Sequence, residues 1–514
     1  MAFIKGKDRN TASMVSLEGS IASDNPVRLV DALVNKLELD KMGLQTVPKQ
    51  EGRPAFSPAL FLKLYLYGYL NRIRSSRRLE IECQRNIEVR WLLEELVPNY
   101  HSIADFRKTY TRQLKFVFKC YVDFLKDEEL ISSGLVAIDG TKIRAQNSKK
   151  NNYNQRKIER HLKYIEDRSA KYLQELESLD EAEDQSAGIV VKKKEINQKL
   201  KGLANRKISY ENLQRELTFS SDGQISVTDA DSRALNQHHK IVEVSYNVQT
   251  VVDSSYCLIA DFEAINRNDF DSLHHMASRA KETLGVEDLR VLADKGYHSG
   301  NELQKCEASA IITYVPNRED EDSRGFVYNK DTDSYSCPQN HLLTSNGIAY
   351  NRKKGNRIVA VKTYRTSACK TCAMRSLCTK RKEGGREIER SEYQDAVDRN
   401  NKRVKENMEL YRRRQAIVEH PFGTIKRSWG YTYTLLKGLK KVNAEVALIY
   451  LAYNLRRSVS ILGVEELIRR IKEWKGPKYP SLCSCLLYFK AIIREHVEKT
   501  EKCTNENRAY KMAV

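Results

Sequence analysis

The feature that most constrains this chain is a change of rhythm at Gly134. Up to about residue 125 apolar residues recur at helical spacing. Then Gly134 is followed by Leu135-Val136-Ala137-Ile138-Asp139-Gly140, a short β-branched and apolar run that ends in an acid. Such a run reads as a buried strand. Three more strand-like runs follow, at 244–252, 256–264 and 288–293, with a helical segment at 271–284 before the last, which stops at Asp294. Three strands, a helix and a fourth strand ending in an acid form an α/β sheet in outline.

What surrounds this sheet is helical. Leu29, Leu33, Leu37 and Leu39, then Leu60, Phe61, Leu64, Leu66 and Leu70, define a helical domain over 1–130, with Pro54 and Pro58 at a turn. Its Arg72, Arg74, Arg77 and Arg78 lie beside Tyr65, Tyr67 and Tyr69. They read either as phosphate-holding groups or as a solvated face over an aromatic core. Between the first and second strands, 149–218 carries Ile158, Leu162, Ile165, Leu173, Leu176 and Leu179, then Ile196, Leu200, Leu203, Leu213 and Leu217. That stripe suits an inserted helical hairpin turning at 180–188. The sheet region is expected to be a ribonuclease H-like core over 131–463, with a second, cysteine-rich insert at 320–400 and a helical tail at 464–514.

At 514 residues the chain exceeds one hydrophobic core, and its net charge of +20 suits a polyanionic partner. The N-terminal residues lack the apolar stretch of a secretory signal. The most apolar helical window, 60–70, is interrupted by Lys63 and is too short to span a bilayer. Both features suit a cytoplasmic protein with no membrane partner. Among eleven cysteines, Cys337, Cys369, Cys372 and Cys378 cluster with a CxxC, a pattern for a structural zinc site; scattered free thiols or a redox pair are the alternatives.

Asp139, Asp294 and Glu419 stand out as a chemical set. Phosphodiester hydrolysis or transfer needs an activated oxygen nucleophile and relief of charge on the leaving oxygen, and two divalent cations on carboxylates supply both. Each acid also has a plain reading: Asp139-Gly140 and Asp294 as turn residues, and Glu419 as a residue at a helix end before Pro421. Asp231, in Thr228-Asp229-Ala230-Asp231-Ser232-Arg233, is a rival acid, but its polar turn suits capping of backbone groups.

The strings Ala137-Ile138-Asp139-Gly140-Thr141-Lys142, Ala293-Asp294-Lys295-Gly296-Tyr297 and Val418-Glu419-His420-Pro421-Phe422-Gly423-Thr424-Ile425-Lys426 resemble the DDE transposases of bacterial insertion sequences. Residues 56–70 and His101-Ser102-Ile103-Ala104-Asp105-Phe106-Arg107 are similar to the helical N-terminal domain fused to such enzymes. The resemblance implies that Asp139, Asp294 and Glu419 bind two magnesium or manganese ions. It also implies that Tyr411, Arg414 and Lys426 on a signature helix handle DNA phosphates, although the interval from Arg414 to Glu419 is one residue longer than the commonest pattern. Residues 402–441 hold 11 Lys or Arg against 3 Glu, so an electropositive surface follows without the family. Lys142, Arg427, Arg74, Arg77 and Arg78 complete the expected DNA contacts. The expected partners are terminal inverted repeats and target DNA, bound by a homodimer. A catalytically silent DNA-binding derivative and a nuclease that only hydrolyses are the rival readings.

Overall fold

The computed structural model describes residues 14–46, 54–131, 134–181, 187–220, 222–236, 241–317, 325–354, 357–379, 381 and 384–477. Contacts group the chain into two units, 1–128 with 455–514, and 129–454. No helix among the described residues is long and apolar enough to cross a membrane.

The first unit is helical: α1 (Pro26–Lys36), α2 (Pro58–Leu70), α3 (Ser76–Arg85), α4 (Ile87–Leu92), α5 (Tyr100–Thr109) and α6 (Thr111–Asp127). The starts follow from local chemistry. Asn25, Ser57, Asn86 and Asn99 each accept a backbone N–H of the first turn, and Pro26 and Pro58 occupy positions whose N–H has no helical partner. Tyr65, Tyr67 and Tyr69 are buried in α2. Arg107 of α5 is buried with them, donating to the Tyr69 hydroxyl (2.9 Å) and the Arg74 carbonyl (3.1 Å), with its guanidinium over the Tyr65 ring. The helix Val464–Glu473 belongs to this unit. Arg470 donates to Glu128 (3.1 Å) and the Trp474 indole donates to Asp127 (2.8 Å). Residues 478–514 of the expected tail lie outside the described residues.

The second unit is built on a mixed sheet. Its first strand, β1 (Leu135–Arg144), is followed by the short β2 (Asn152–Tyr153), helices α7 (Gln155–Glu181) and α8 (Ala187–Thr218), and β3 (Ile225–Ser226), which pairs with β2. The chain returns to the sheet as β4 (Arg233–Asn236), β5 (Val242–Asp253) and β6 (Ile259–Ile265), then α9 (Leu273–Leu284), β7 (Leu289–Ala293), α10 (Gly300–Ala308) and β8 (Ile311–Tyr314). Strand order is β6-β5-β1-β7-β8, with β4 also on β5. β1, β5 and β6 form antiparallel neighbours, while β7 and β8 run parallel to β1. The cysteine-rich segment forms two small sheets, β9 (Val327–Asn329) to β11 (Leu342–Thr344) around β10 (Ser334–Ser336), and β12 (Tyr350–Lys354), β13 (Arg357–Tyr364) and β14 (Ile388–Ser391), with the one-turn α11 (Arg375–Cys378) before β14. Helices α12 (Gln394–Glu406), α13 (Met408–Phe422) and α14 (Leu439–Leu462) follow.

Two expectations need correction. β1 does not end at Asp139: it continues to Arg144, with Asp139 paired to Thr250 and Gly140 to Gln249, so Asp139-Gly140 is not a turn. Glu419 is not at a helix end either, because α13 runs through Pro421 to Phe422. Proline there has no N–H for the helical ladder, and the chain passes directly into a π turn at Gly423–Ser428.

The hairpin α7/α8 is an antiparallel pair. His161 stacks on Tyr210 at 4.8 Å, Glu166 pairs with Lys207, and Asp180 pairs with Lys193. Ile158, Ile165, Ile196, Leu203 and Leu217 are buried at heptad spacing. Leu173, expected in the stripe, is exposed; the partly buried Tyr172 takes the seam position, seven residues after Ile165. Part of the expected turn, 182–186, lies outside the described residues.

Candidate active site

The site begins with one row of side chains. Side chains alternate across a strand, so Leu135, Ala137 and Asp139 share one face of β1. On that face Val252, Ala137, Leu292 and Tyr314 line up in register across β5, β1, β7 and β8. They pack with Val404 of α12 and with Ile417 and Val418 of α13 as one apolar cluster. Ile138 pairs with Ala293, so the next row on that face brings Asp139 beside Asp294, at the end of β7. The two acids thus extend an apolar row at its solvent end, on neighbouring parallel strands.

Burial pushes the Asp139 carboxyl up to about 6, against the pull of the Arg414 guanidinium and the Gly140 N–H, and the negative charges of Asp294 and Asp269 add to the rise. Arg414 Nη1 donates to Asp139 Oδ2 at 3.1 Å, and Gly140 N to Asp139 Oδ1 at 2.8 Å. Asp294 caps the turn Lys295–Tyr297, accepting from Lys295 N at 2.7 Å. Tyr411, one turn before Arg414 on α13, joins them: its phenol is raised by burial, opposed by Arg414, and raised further by Asp294 and Asp139. Glu419 does not join. It is exposed and accepts from Gln415 at 2.8 Å, and among the described residues no three His, Cys, Asp or Glu side chains meet closely enough to hold a metal ion.

The expected basic residues divide. Lys426 donates to Thr141 Oγ1 and to the Lys142 carbonyl, both at 3.0 Å, and burial lowers its pKa, with Lys142 adding to the effect; it clamps the π turn onto β1. The Lys142 ammonium donates to the Asn236 carbonyl. Arg427, Arg77 and Arg78 are exposed, Arg77 with its guanidinium over Tyr100. Arg74 is only 8% exposed, which removes it from the surface candidates.

One acid escaped the sequence. Asp269, in the turn before α9, accepts from Asn247 Nδ2 (2.8 Å) and Gln249 Nε2 (2.7 Å), while Gln249 Oε1 accepts from the buried Tyr297 hydroxyl at 2.6 Å. A Cβ on Gly140 would stand 2.2 Å from Asp269 Oδ1, so any other residue at position 140 would have to push the Asp269, Gln249 and Asn247 side chains aside. Asp269 therefore backs β1 on the face opposite Asp139. Its string, Arg267-Asn268-Asp269-Phe270-Asp271, reads as an ordinary polar loop and gives no spacing signal. Asp231, the rival acid, is a cap: its carboxylate accepts from Leu439 N at 2.8 Å, at the start of α14. His420 is tied to the Tyr453 hydroxyl at 2.7 Å.

Residues 336–459 match the family described as "Transposase DDE domain", and residues 15–109 match "Transposase domain (DUF772)". Both matches point to a DNA transposase that carries a DDE domain. The first match takes in the cysteine cluster, α13 and most of α14, and begins beyond Asp139 and Asp294. Among solved structures, the transposase is similar to the piggyBac transposase synaptic complex with hairpin DNA, at 8% identity over 88% of this chain and 79% of that one; the TM-score of 0.32 is too low to bear on the fold. No curated protein matches it.

Proposed function

We propose that the transposase frees element ends and joins them to target DNA at a divalent-cation site built on Asp139 and Asp294, completed by Glu419, within a ribonuclease H-like core. The observation that carries this reading is the pairing of Asp139 and Asp294 in one row of one sheet face, with Arg414 and Tyr411 of α13 above them. The strand order, with an antiparallel meander followed by two strands parallel to its first, supports the core assignment.

The donor set fits magnesium or manganese in chemistry, since all three groups are carboxylates. Two of them sit on adjacent strands. The third is one residue beyond Val418, which packs on the apolar row next to the one that carries both aspartates, and the proline and π turn just after it loosen the helical ladder about Glu419. When bound, a cation pair would supply an activated oxygen and charge relief on the leaving oxygen. The residues' own roles follow from their contacts. Arg414 neutralises Asp139 in the DNA-free chain; a DNA phosphate, binding the same guanidinium in bidentate fashion, would release that carboxylate. Tyr411 stands on the same helix face to meet the same strand. Lys142 and Arg427 add positive charge nearby. Transposition needs two ends held together, so a homodimer on the paired ends is part of the proposal.

The test uses an end-bearing duplex and, separately, pre-cut ends with a target plasmid, in magnesium. Asp139→Ala, Asp294→Ala and Glu419→Gln should each abolish both reactions while leaving the far-UV circular dichroism unchanged. Parental rates in any one of them remove that residue from the site. Cutting without joining by the parent would make the protein a nuclease.

A further inference from the structure

Eight described cysteines have free thiols. Cys83, Cys120 and Cys306 are buried, with thiols pushed up to about 12, and behave as small apolar residues. Cys337, Cys369, Cys372 and Cys378 are different: half-buried, they line one cavity together with His341. They come from three places in the chain. Cys337 directly follows β10 and begins a tight turn. There Asn340 N–H donates to the Cys337 carbonyl (2.8 Å), Cys337 N–H to the His341 carbonyl (3.0 Å), and His341 N–H to Cys337 Sγ (3.3 Å). Cys369 lies in the 3-10 turn Ser367–Lys370, against Gly385, where a Cβ would come within 2.3 Å of the Cys369 Cβ. Cys372 accepts at its carbonyl from Arg375 N–H, and Cys378 closes α11.

The physical problem is what holds this segment. Neither the turn Ser367–Lys370 nor α11 buries a single residue, and Leu377 is 81% exposed. A segment without a core needs a cross-link or a metal. No disulfide joins the four thiols. A backbone N–H is aimed at Cys337 Sγ, and Arg375, Arg381 and Arg386 line the same cavity.

We infer that Cys337, Cys369, Cys372 and Cys378 bind one structural zinc ion, which ties the turn Ser367–Lys370 and α11, neither of which buries a residue, to the turn at Cys337. Soft thiolates in a CxxC-containing set of four select zinc over the hard cations proposed for the aspartates. The sulfurs ring the cavity without meeting at one point. Each is carried on a short turn with a single free χ1, so the ion draws them together at little cost in packing. The site is separate from Asp139 and Asp294 in residues and in ligand chemistry, and it stands whether or not the aspartate reading does.

Full-length protein purified without chelators from zinc-supplemented cells should carry about one zinc per chain by mass spectrometry of the metal. Cys372→Ser and Cys378→Ser should lose it, and Asp139→Ala should keep it. Should the serine variants fail to fold, cobalt exchanged into the parent decides: thiolate-to-cobalt charge transfer with strong tetrahedral visible bands is expected. In parallel, the reaction of these four thiols with a disulfide reagent should speed up about tenfold once zinc is stripped. A folded, zinc-free parent, zinc retained in Cys372→Ser, cobalt bands of an octahedral oxygen site, or recovery of the four cysteines as disulfides would each overturn the inference.

Discussion

Asp139 is held in a conflict between burial, which favours its neutral form, and the Arg414 guanidinium, which favours the carboxylate. Folding raises its carboxyl from the ordinary 3.8 to about 6, so the folded state binds the proton more tightly than the unfolded chain. Stability of the metal-free protein should therefore fall as pH rises from about 4 through 6. Asp139→Asn removes the charge, and in chelator it should melt at a higher temperature than the parent at pH 7.5, with the gap closing near pH 4, as followed by circular dichroism. An unchanged gap across that range would mean the carboxyl is not buried as described. Arg414 is the partner that makes the conflict tolerable. Arg414→Gln should raise the affinity of the DNA-free protein for manganese by about tenfold in calorimetry, the worth of roughly one partly screened ion pair. A DNA end should raise the parent's manganese affinity and leave that of the variant nearly unchanged.

Elements show why Gly140 matters. Gly140→Ala forces its methyl into the Asp269 carboxylate and should cost about 1–3 kcal/mol in urea unfolding, as overpacking does. Asp269→Ser, which shortens the intruding side chain, should recover part of that loss in the double variant. The same strand marks how far the sequence could be read. The runs leading to Asp139 and Asp294 are apolar and β-branched because they are buried on both faces, and both lie in strands as expected. The continuation Thr141–Arg144 was illegible: Asp-Gly is a strong turn signal, and only pairing with β5 and with Tyr433 overrides it. α13 hid its end similarly. His420-Pro421 reads as a stop, yet the buried Pro421 and the His420–Tyr453 hydrogen bond carry the helix through. Asp269 was invisible because its importance comes from a neighbour across the sheet, which no local spacing encodes.

For the whole molecule, the net charge of +20 sets how it meets DNA. Association should weaken linearly in log–log plots against salt, with a slope of about −0.9 per phosphate contacted. Arg427→Gln and Arg77→Gln should each flatten that slope by about one unit where they touch phosphate, and an unchanged slope would remove either residue from the interface. Folding poses a second molecular question. β1 and β5 form the centre of the sheet, yet α7 and α8 separate them in sequence. The ends of that excursion are pinned by β2 and β3, where Asn152 pairs with Ser226 and Val227 N–H donates to the Asn151 carbonyl. A helical pair that zips through local contacts thereby shortens the effective loop between the two strands before they pair. The arm acts as a folding clasp, so weakening its seam, as in Leu203→Asp, should slow refolding of the sheet far more than it speeds unfolding.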